Sequence, residues 1–428
     1  MSSKPESYLV SLPRWEIALY WLLSLASHLY SFYELHRFSK EHERGLDREF
    51  PLEKGFIGGL KRDAADFEWS FWSDWARRSL LWSLLGHAVL SRLASIYLPQ
   101  WHLAILTGYG VLAACNLLGL RGVAVLMLQL SLSLAVAQLH NPALCWGSSL
   151  LLLSTLHISS LQDIQMLRPC AGVCGVSAVC VLKSAVRVCV WWCVAETLIH
   201  CMHMHSIQGN ETYLEILPPW ALGGLALGLV QFFYVKYLVL FGLPSLLVRM
   251  DGVEPPQLPR CVSIMYSFTG MWRHFDVGLY RWLIRYIYVP LGGSRHGVLR
   301  KVLSTALAFV FVCFWHGGHD YLQQWALLNW AGILVENALG MLLTAPPLRH
   351  LIERVLSPPM RRRGLAFVSA FSTGLLILSN LIFLGGNHVG RIFWKRVFVQ
   401  GWSNMAIPML GFLYCFAQVG LEWDRKAR

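Results

Sequence analysis

Apolar runs recur along this chain at the length a bilayer demands. Crossing a hydrocarbon layer of ~30 Å takes about 20 mostly apolar residues in a helix. Runs of that character lie near residues 15–33, 79–98, 101–119, 123–139, 143–160, 171–202, 218–248, 302–315, 321–344, 364–385 and 403–421. Lipid offers no partner to backbone N–H and C=O groups, so spanning segments close their hydrogen bonds within a helix or a sealed barrel. The runs therefore predict an all-α polytopic membrane protein with about ten transmembrane helices. Those at 171–202 and 218–248 exceed one span and leave room to tilt, bend or re-enter.

Composition excludes an ordinary soluble domain. Of the 428 residues 55% are hydrophobic and 14% charged, where soluble domains carry about 25% charge. The net charge of +12 reads as cytoplasmic loops rather than as nucleic-acid binding, and the 19 tryptophans suit the headgroup boundary. No small-residue cleavage site follows the first run, so it is expected to be a span and not a cleaved signal peptide. Most of the 11 cysteines lie in apolar runs, where a thiol acts as a small hydrophobe. The Cys170/Cys174 and Cys189/Cys193 spacings suit helix faces better than zinc. No internal repeat supports a duplicated transporter half.

Charge is concentrated in a few places. Residues 34–78 form a long charged stretch, with Glu41, Glu43, Asp47, Asp63 and Asp66, broken by Phe67, Trp69, Phe71 and Trp72, and read as a membrane-surface segment. Arg361-Arg362-Arg363 is expected in a cytosolic loop by the positive-inside tendency. The run at 171–202 carries Lys183, Arg187 and Glu196, an expensive load for a helix facing lipid. The densest stretch is Cys261 to Gly293, too charged for lipid and too aromatic for a free loop, which a re-entrant or cavity-lining segment would reconcile.

Three residues invite a chemical reading. His316 ends an uncharged apolar run, where an imidazole can serve as a general base near neutrality; the alternative is a core histidine with a backbone partner. With His319 it makes only a weak two-histidine metal signal. Cys261 follows Arg260, and an adjacent guanidinium favours thiolate; the alternative is a partly buried thiol.

The strings Met271-Trp-Arg-His-Phe-Asp276, Tyr288-Val-Pro-Leu-Gly-Gly293, Trp315-His316-Gly-Gly318 and Leu328-Asn-Trp330 resemble the membrane-bound O-acyltransferase family. They are most similar to the branch that palmitoylates the N-terminal cysteine of Hedgehog signalling proteins. The resemblance implies one domain over residues 1–428, multi-pass in the endoplasmic reticulum membrane, with a catalytic core at 256–345 and re-entrant segments around a central tunnel. Palmitoyl-CoA would enter from the cytosol and the Hedgehog N-terminus from the lumen. His316 and Asp276 match the catalytic pair; Trp272, Arg273, Trp315, Asn329 and Asn380 match the substrate-binding surroundings. Cys261 matches a thiolate ligand to a structural haem b. Residues 167–189 depart from the pattern and stand where related sequences carry a longer segment, as in a shortened isoform. A catalytically silent relative acting as scaffold or regulator is the alternative; an intact His316 speaks against it and the short middle speaks for it.

Overall fold

The computed structural model describes residues 10–50, 52–55, 57–76, 78, 81–154, 178–250 and 254–427; the first part of the atypical stretch at 167–189, residues 167–177 with Cys170 and Cys174, lies outside them. In chain order the helices are α1 (Arg14–Glu41), α2 (Glu43–Glu49), α3 (Phe67–Trp75), α4 (Leu81–Tyr97), α5 (His102–Gln138), α6 (Pro142–Ser154), α7 (Ala178–Cys201), α8 (Met204–Gln208), α9 (Glu211–Ile216) and α10 (Pro219–Met250). There follow α11 (Phe268–His274), α12 (Val277–Leu283), α13 (Gly297–Trp315), α14 (Asp320–Thr344), α15 (Pro346–Val355), α16 (Pro358–Trp394) and α17 (Ile407–Lys426). One small antiparallel hairpin interrupts them, β1 (Glu53–Lys54) with β2 (Lys61–Arg62). Two-residue strands are too short for alternation to reveal in a sequence.

Six helices among the described residues are long and apolar enough to span a membrane: Gly119–Gln138, Pro219–Met250, Gly297–Trp315, Asp320–Thr344, Pro358–Gln400 and Trp402–Lys426. The difference from about ten has local causes. Helix α1 dilutes its leucines with Ser, Tyr and His, and α4 has only 17 residues. The runs at 143–160 and 171–202 lie partly outside the described residues. The runs at 101–119 and 123–139 share the single stretch α5, broken at Gly119, whose φ of 70° is open to glycine without strain.

The chain sorts into two compact units: residues 1–67, 190–238 and 257–428, and residues 68–189 with 239–256. In the second, α4 packs on α5 and the Tyr109 hydroxyl donates to Ser83 O at 2.7 Å. In the first, α16 packs against α14 and α17, and α17 against α1. Outward leucines and valines such as Leu303 and Val310 stay exposed, the pattern a lipid-facing surface has.

Arg361, Arg362 and Arg363 are not a free basic loop. They lie in the first turns of α16, each engaged. Arg361 meets Glu353 at 3.5 Å and Arg363 forks onto Glu16 at 2.9 and 2.7 Å. Arg362 is fully buried; its Nη1 donates to Val10 O at 2.7 Å and Glu422 Oε2 at 3.0 Å, and its Nε to Gln418 Oε1 at 3.2 Å. A buried guanidinium is tolerable only when its donors are matched in this way.

A second polar cluster joins the segment after β2 to α8 and α10. Buried Asp63 accepts the backbone N–H of His205 and Ser206 at 2.8 and 3.1 Å and the Ser206 hydroxyl at 2.8 Å. Lys236 Nζ donates to Asp66 at 2.9 Å.

Candidate functional site

His316 is placed by the way α13 ends. Gly317 N–H donates to Phe314 O at 3.0 Å and Gly318 N–H to Cys313 O at 2.9 Å, the paired bonds of a Schellman stop. That stop needs a left-handed residue after the cap, which Gly317 supplies with φ 114°. The Trp-His-Gly-Gly string thus leaves His316 as the cap, its side chain exposed at the mouth of an apolar helix. Its ring meets Trp315 at 4.7 Å, Phe383 at 5.3 Å and Trp325 at 5.9 Å.

Residues 261–293 form several short helices rather than one span. A turn at Val262–Ile264 leads to α11, α12 and a π-helical turn at Ile284–Tyr288. Ser267 caps α11 by accepting from Gly270 N–H at 3.0 Å. Glu336 of α14 reinforces this start: its two oxygens accept Phe268 N–H at 2.7 Å and Thr269 N–H at 2.9 Å, and Ser372 donates to it at 2.7 Å. An anion at a helix start meets the first unpaired N–H groups and the positive end of the dipole. Helix α11 carries Trp272 and Arg273, and the charge of Arg273 sits in its last turn, where the dipole favours a cation. Asp276 caps the next helix, its Oδ1 accepting Leu279 N–H at 2.8 Å.

Of the predicted residues, Trp272, Asn329, Trp315 and His316 meet in an aromatic cage. Trp272 stands edge-on to Phe309 at 4.7 Å and tilts over Trp325 at 5.7 Å. Its indole N–H donates to Asn329 Oδ1 at 2.9 Å; Asn329 Nδ2 donates to Trp325 O at 2.8 Å and to Ser379 at 3.4 Å. Trp325 meets Phe383 at 4.8 Å. The imidazole and the carboxylate are linked through rings: His316 to Phe383, Phe383 to Phe233 at 5.8 Å, and Phe233 stacked at 5.2 Å on Phe275, the neighbour of Asp276. Asn380 faces elsewhere, lining a cavity of about 50 Å³ with Met271 and Ser263. His28, Leu227, Ile377 and Phe416 line both this cavity and a larger apolar one of about 230 Å³ among α1, α10, α16 and α17.

The haem expected at Cys261 does not fit. Among the described residues no cluster of three His, Cys, Asp or Glu side chains could hold a metal ion. The cavity beside Val262 and Ser263 is the 50 Å³ one, well under the ~300–1,000 Å³ of cofactor sites. The Arg260 guanidinium is bound to Asp424 at 2.7 Å, and the Tyr266 hydroxyl donates to the other oxygen of that carboxylate at 2.7 Å. Cys261 is a partly buried thiol at the start of a turn. His316 and His319 also diverge, the latter stacking on Tyr321 at 5.9 Å.

Sequence reasoning missed Glu336, Ser379 and Trp325. Glu336 carried a usable signal, a carboxylate inside the otherwise apolar run 321–344, which marks a functional or structural partner in a membrane helix. Ser379 and Trp325 carried none, since a serine or a tryptophan in a span is ordinary.

The sequence profile described as MBOAT, the membrane-bound O-acyltransferase family, matches residues 171–379, which include every candidate residue above except Asn380. A mouse protein, protein-cysteine N-palmitoyltransferase HHAT, is 40% identical over 491 aligned positions, covering 96% of this chain and 98% of its own. Mouse protein-cysteine N-palmitoyltransferase HHAT-like protein is 27% identical over 86% of each chain. Protein-cysteine N-palmitoyltransferase Rasp of Drosophila melanogaster is 30% identical over 56% of this chain and 47% of its own. The first alignment is longer than the 428 residues here, so the mouse protein carries positions without a counterpart in this chain.

Proposed function

The chain belongs to the membrane-bound O-acyltransferase family, and from that premise we propose that it is a protein-cysteine N-palmitoyltransferase acting on Hedgehog N-termini in the endoplasmic reticulum membrane. The observation that carries the reading is 40% identity to a protein-cysteine N-palmitoyltransferase across nearly the whole of both chains.

In the proposed reaction the N-terminal ammonium of the acceptor cysteine loses a proton, and the free amine attacks the thioester carbon of palmitoyl-CoA. The C–N bond forms, the C–S bond breaks, and coenzyme A departs as thiol after taking up a proton. His316 suits the proton traffic, because an imidazole nitrogen can accept a proton and return it. Asp276 suits a fixed anion, since one oxygen is held by its own helix and the other can face a cation. The apolar cavities reaching Met271 and Asn380, which share lining residues, have walls compatible with an acyl chain, and Trp272 and Arg273 follow Met271 in the chain.

The test is purified protein with labelled palmitoyl-CoA and a peptide bearing a Hedgehog N-terminus. Label should enter the peptide and stay after hydroxylamine, as an amide does; no transfer above a no-enzyme control would reject the reading. The shorter length relative to the mouse protein favours a second reading, a silent relative that binds acyl-CoA without turning it over. Binding of labelled palmitoyl-CoA with no peptide product identifies it. Microscopy against an endoplasmic reticulum marker tests the location.

A further inference from the structure

Trp325 is 7% exposed, and its Nε1 has no hydrogen-bond partner among the described residues. Leaving a buried donor unpaired is costly, so a buried indole N–H is ordinarily matched to an acceptor. The contrast with its neighbour is sharp. The two indoles are 5.7 Å apart, and that of Trp272 is bonded to Asn329. Asn329 does not serve both: its oxygen takes Trp272, while its nitrogen donates to Trp325 O and Ser379. Phe383, the other ring against Trp325, has no acceptor to offer. The His316 ring stands perpendicular to Trp325, with 5.9 Å between centroids.

We propose that the Trp325 indole N–H donates to the thioester carbonyl oxygen of the acyl donor and holds the oxyanion that forms there. This rests on the acyltransfer reading above. When the amine adds to the thioester carbon, the carbonyl electron pair moves onto oxygen. When the C–S bond breaks, that pair re-forms the carbonyl and the thiolate leaves with its electrons. Charge thus appears on oxygen and vanishes again, and a fixed donor aimed at that oxygen stabilises that step more than it stabilises the resting thioester. The placement is consistent: Trp325 shares contacts with His316, Trp272 and Phe383, so an oxygen reaching it lies within the cage that holds the imidazole.

Trp325→Phe keeps a ring and removes the N–H. Loss of one oxyanion donor lowers turnover by about 10²–10³-fold, and kcat should fall with KM for the peptide near the original value. A second measurement separates donation from orientation of His316. Two unreactive analogues of palmitoyl-CoA are compared in full-length protein, one a ketone that keeps the carbonyl oxygen and one a thioether that lacks it. The original protein should bind the ketone about tenfold more tightly, and Trp325→Phe should reduce that ratio to about one. An unchanged ratio overturns the proposal, whatever happens to turnover. General damage to the fold weakens both analogues alike and leaves the ratio readable. Failure of the original protein to transfer palmitate rejects the functional reading instead, while the analogue ratio still reports on Trp325.

Discussion

The indole N–H of Trp272 donates to Oδ1 of Asn329 at 2.9 Å, across 57 residues of sequence. This bond joins the short helix α11 to the span α14, and Asn329 is 2% exposed. Trp272→Phe preserves the ring contact with Phe309 but strands the Asn329 oxygen. The expected cost is about 1–3 kcal/mol, read as a lower unfolding midpoint in detergent. Trp272→Phe with Asn329→Leu should recover part of that loss, because it removes the orphaned acceptor.

Asp276 has two roles that one substitution can separate. As a helix cap it is replaceable by Asn, which caps about as well, whereas Ala costs about 1 kcal/mol. As a proposed catalytic carboxylate it is replaceable by neither. Asp276→Asn should keep the thermal midpoint and lose palmitoyl transfer; Asp276→Ala should lose both. Full turnover by the Asn variant would show that the residue is only a cap.

The Schellman stop gives a test at a residue with no chemistry of its own. Gly317 has φ 114°, and a Cβ there would approach the His319 ring at 3.3 Å. Forcing a side chain into a left-handed position costs about 1–2 kcal/mol. Gly317→Ala should leave binding of the acyl donor largely intact while kcat falls, because the segment that turns at His316 must shift. A drop in kcat equal to that of His316→Ala, with a midpoint lowered by no more than that strain accounts for, is the outcome expected if the loop exists to aim the imidazole.

Arg362 and Glu422 form a buried pair at 3.0 Å. Removing one member leaves the other charge unmatched, at a cost of about 3–5 kcal/mol. Arg362→Met should therefore lower the yield of folded protein on size exclusion far more than Arg349→Met, whose partner Glu353 is on the surface. Arg362→Met with Glu422→Met should do better than either alone.

Acid should loosen the cluster around Asp63. Burial lowers the pKa of His205 and of His203, outweighing the pull of Asp63 in the other direction. A histidine held neutral by burial binds its proton more weakly folded than unfolded. Stability from this source is then complete above the ordinary value of about 6.5 and falls as pH drops below it. The unfolding midpoint should decrease from pH 7.5 to pH 5.5, and His203→Gln with His205→Gln should flatten that slope.

Helix ends were the most legible part of this protein. The runs at 302–315 and 321–344 match α13 and α14 within a few residues, because a span stops where apolar residues do and Gly-Gly forces the turn. The placement of His316 followed from the same local string. Pairings at a distance were not legible. The Arg361–Arg363 cluster read as a loop because its partners Glu16 and Glu422 lie far off in sequence, and charge counting does not see pairs. Likewise a resemblance carried over a haem ligand at Cys261, but a ligand needs space and further donors, and those are properties of the packed structure.

The bond from Arg362 to Val10 O closes a loop of 352 residues, and α1 packs against α17, the final helix. Synthesis is vectorial, so α1 is made long before its neighbour α17. Until the C-terminal helix arrives, Arg362 has neither Glu422 nor Gln418, and α1 lacks the surface it will rest on. The bundle can close only after residues 407–426 have been made. Nascent chains stalled before Ile407 should therefore be recognised by quality control as incomplete, however many of their spans have already inserted.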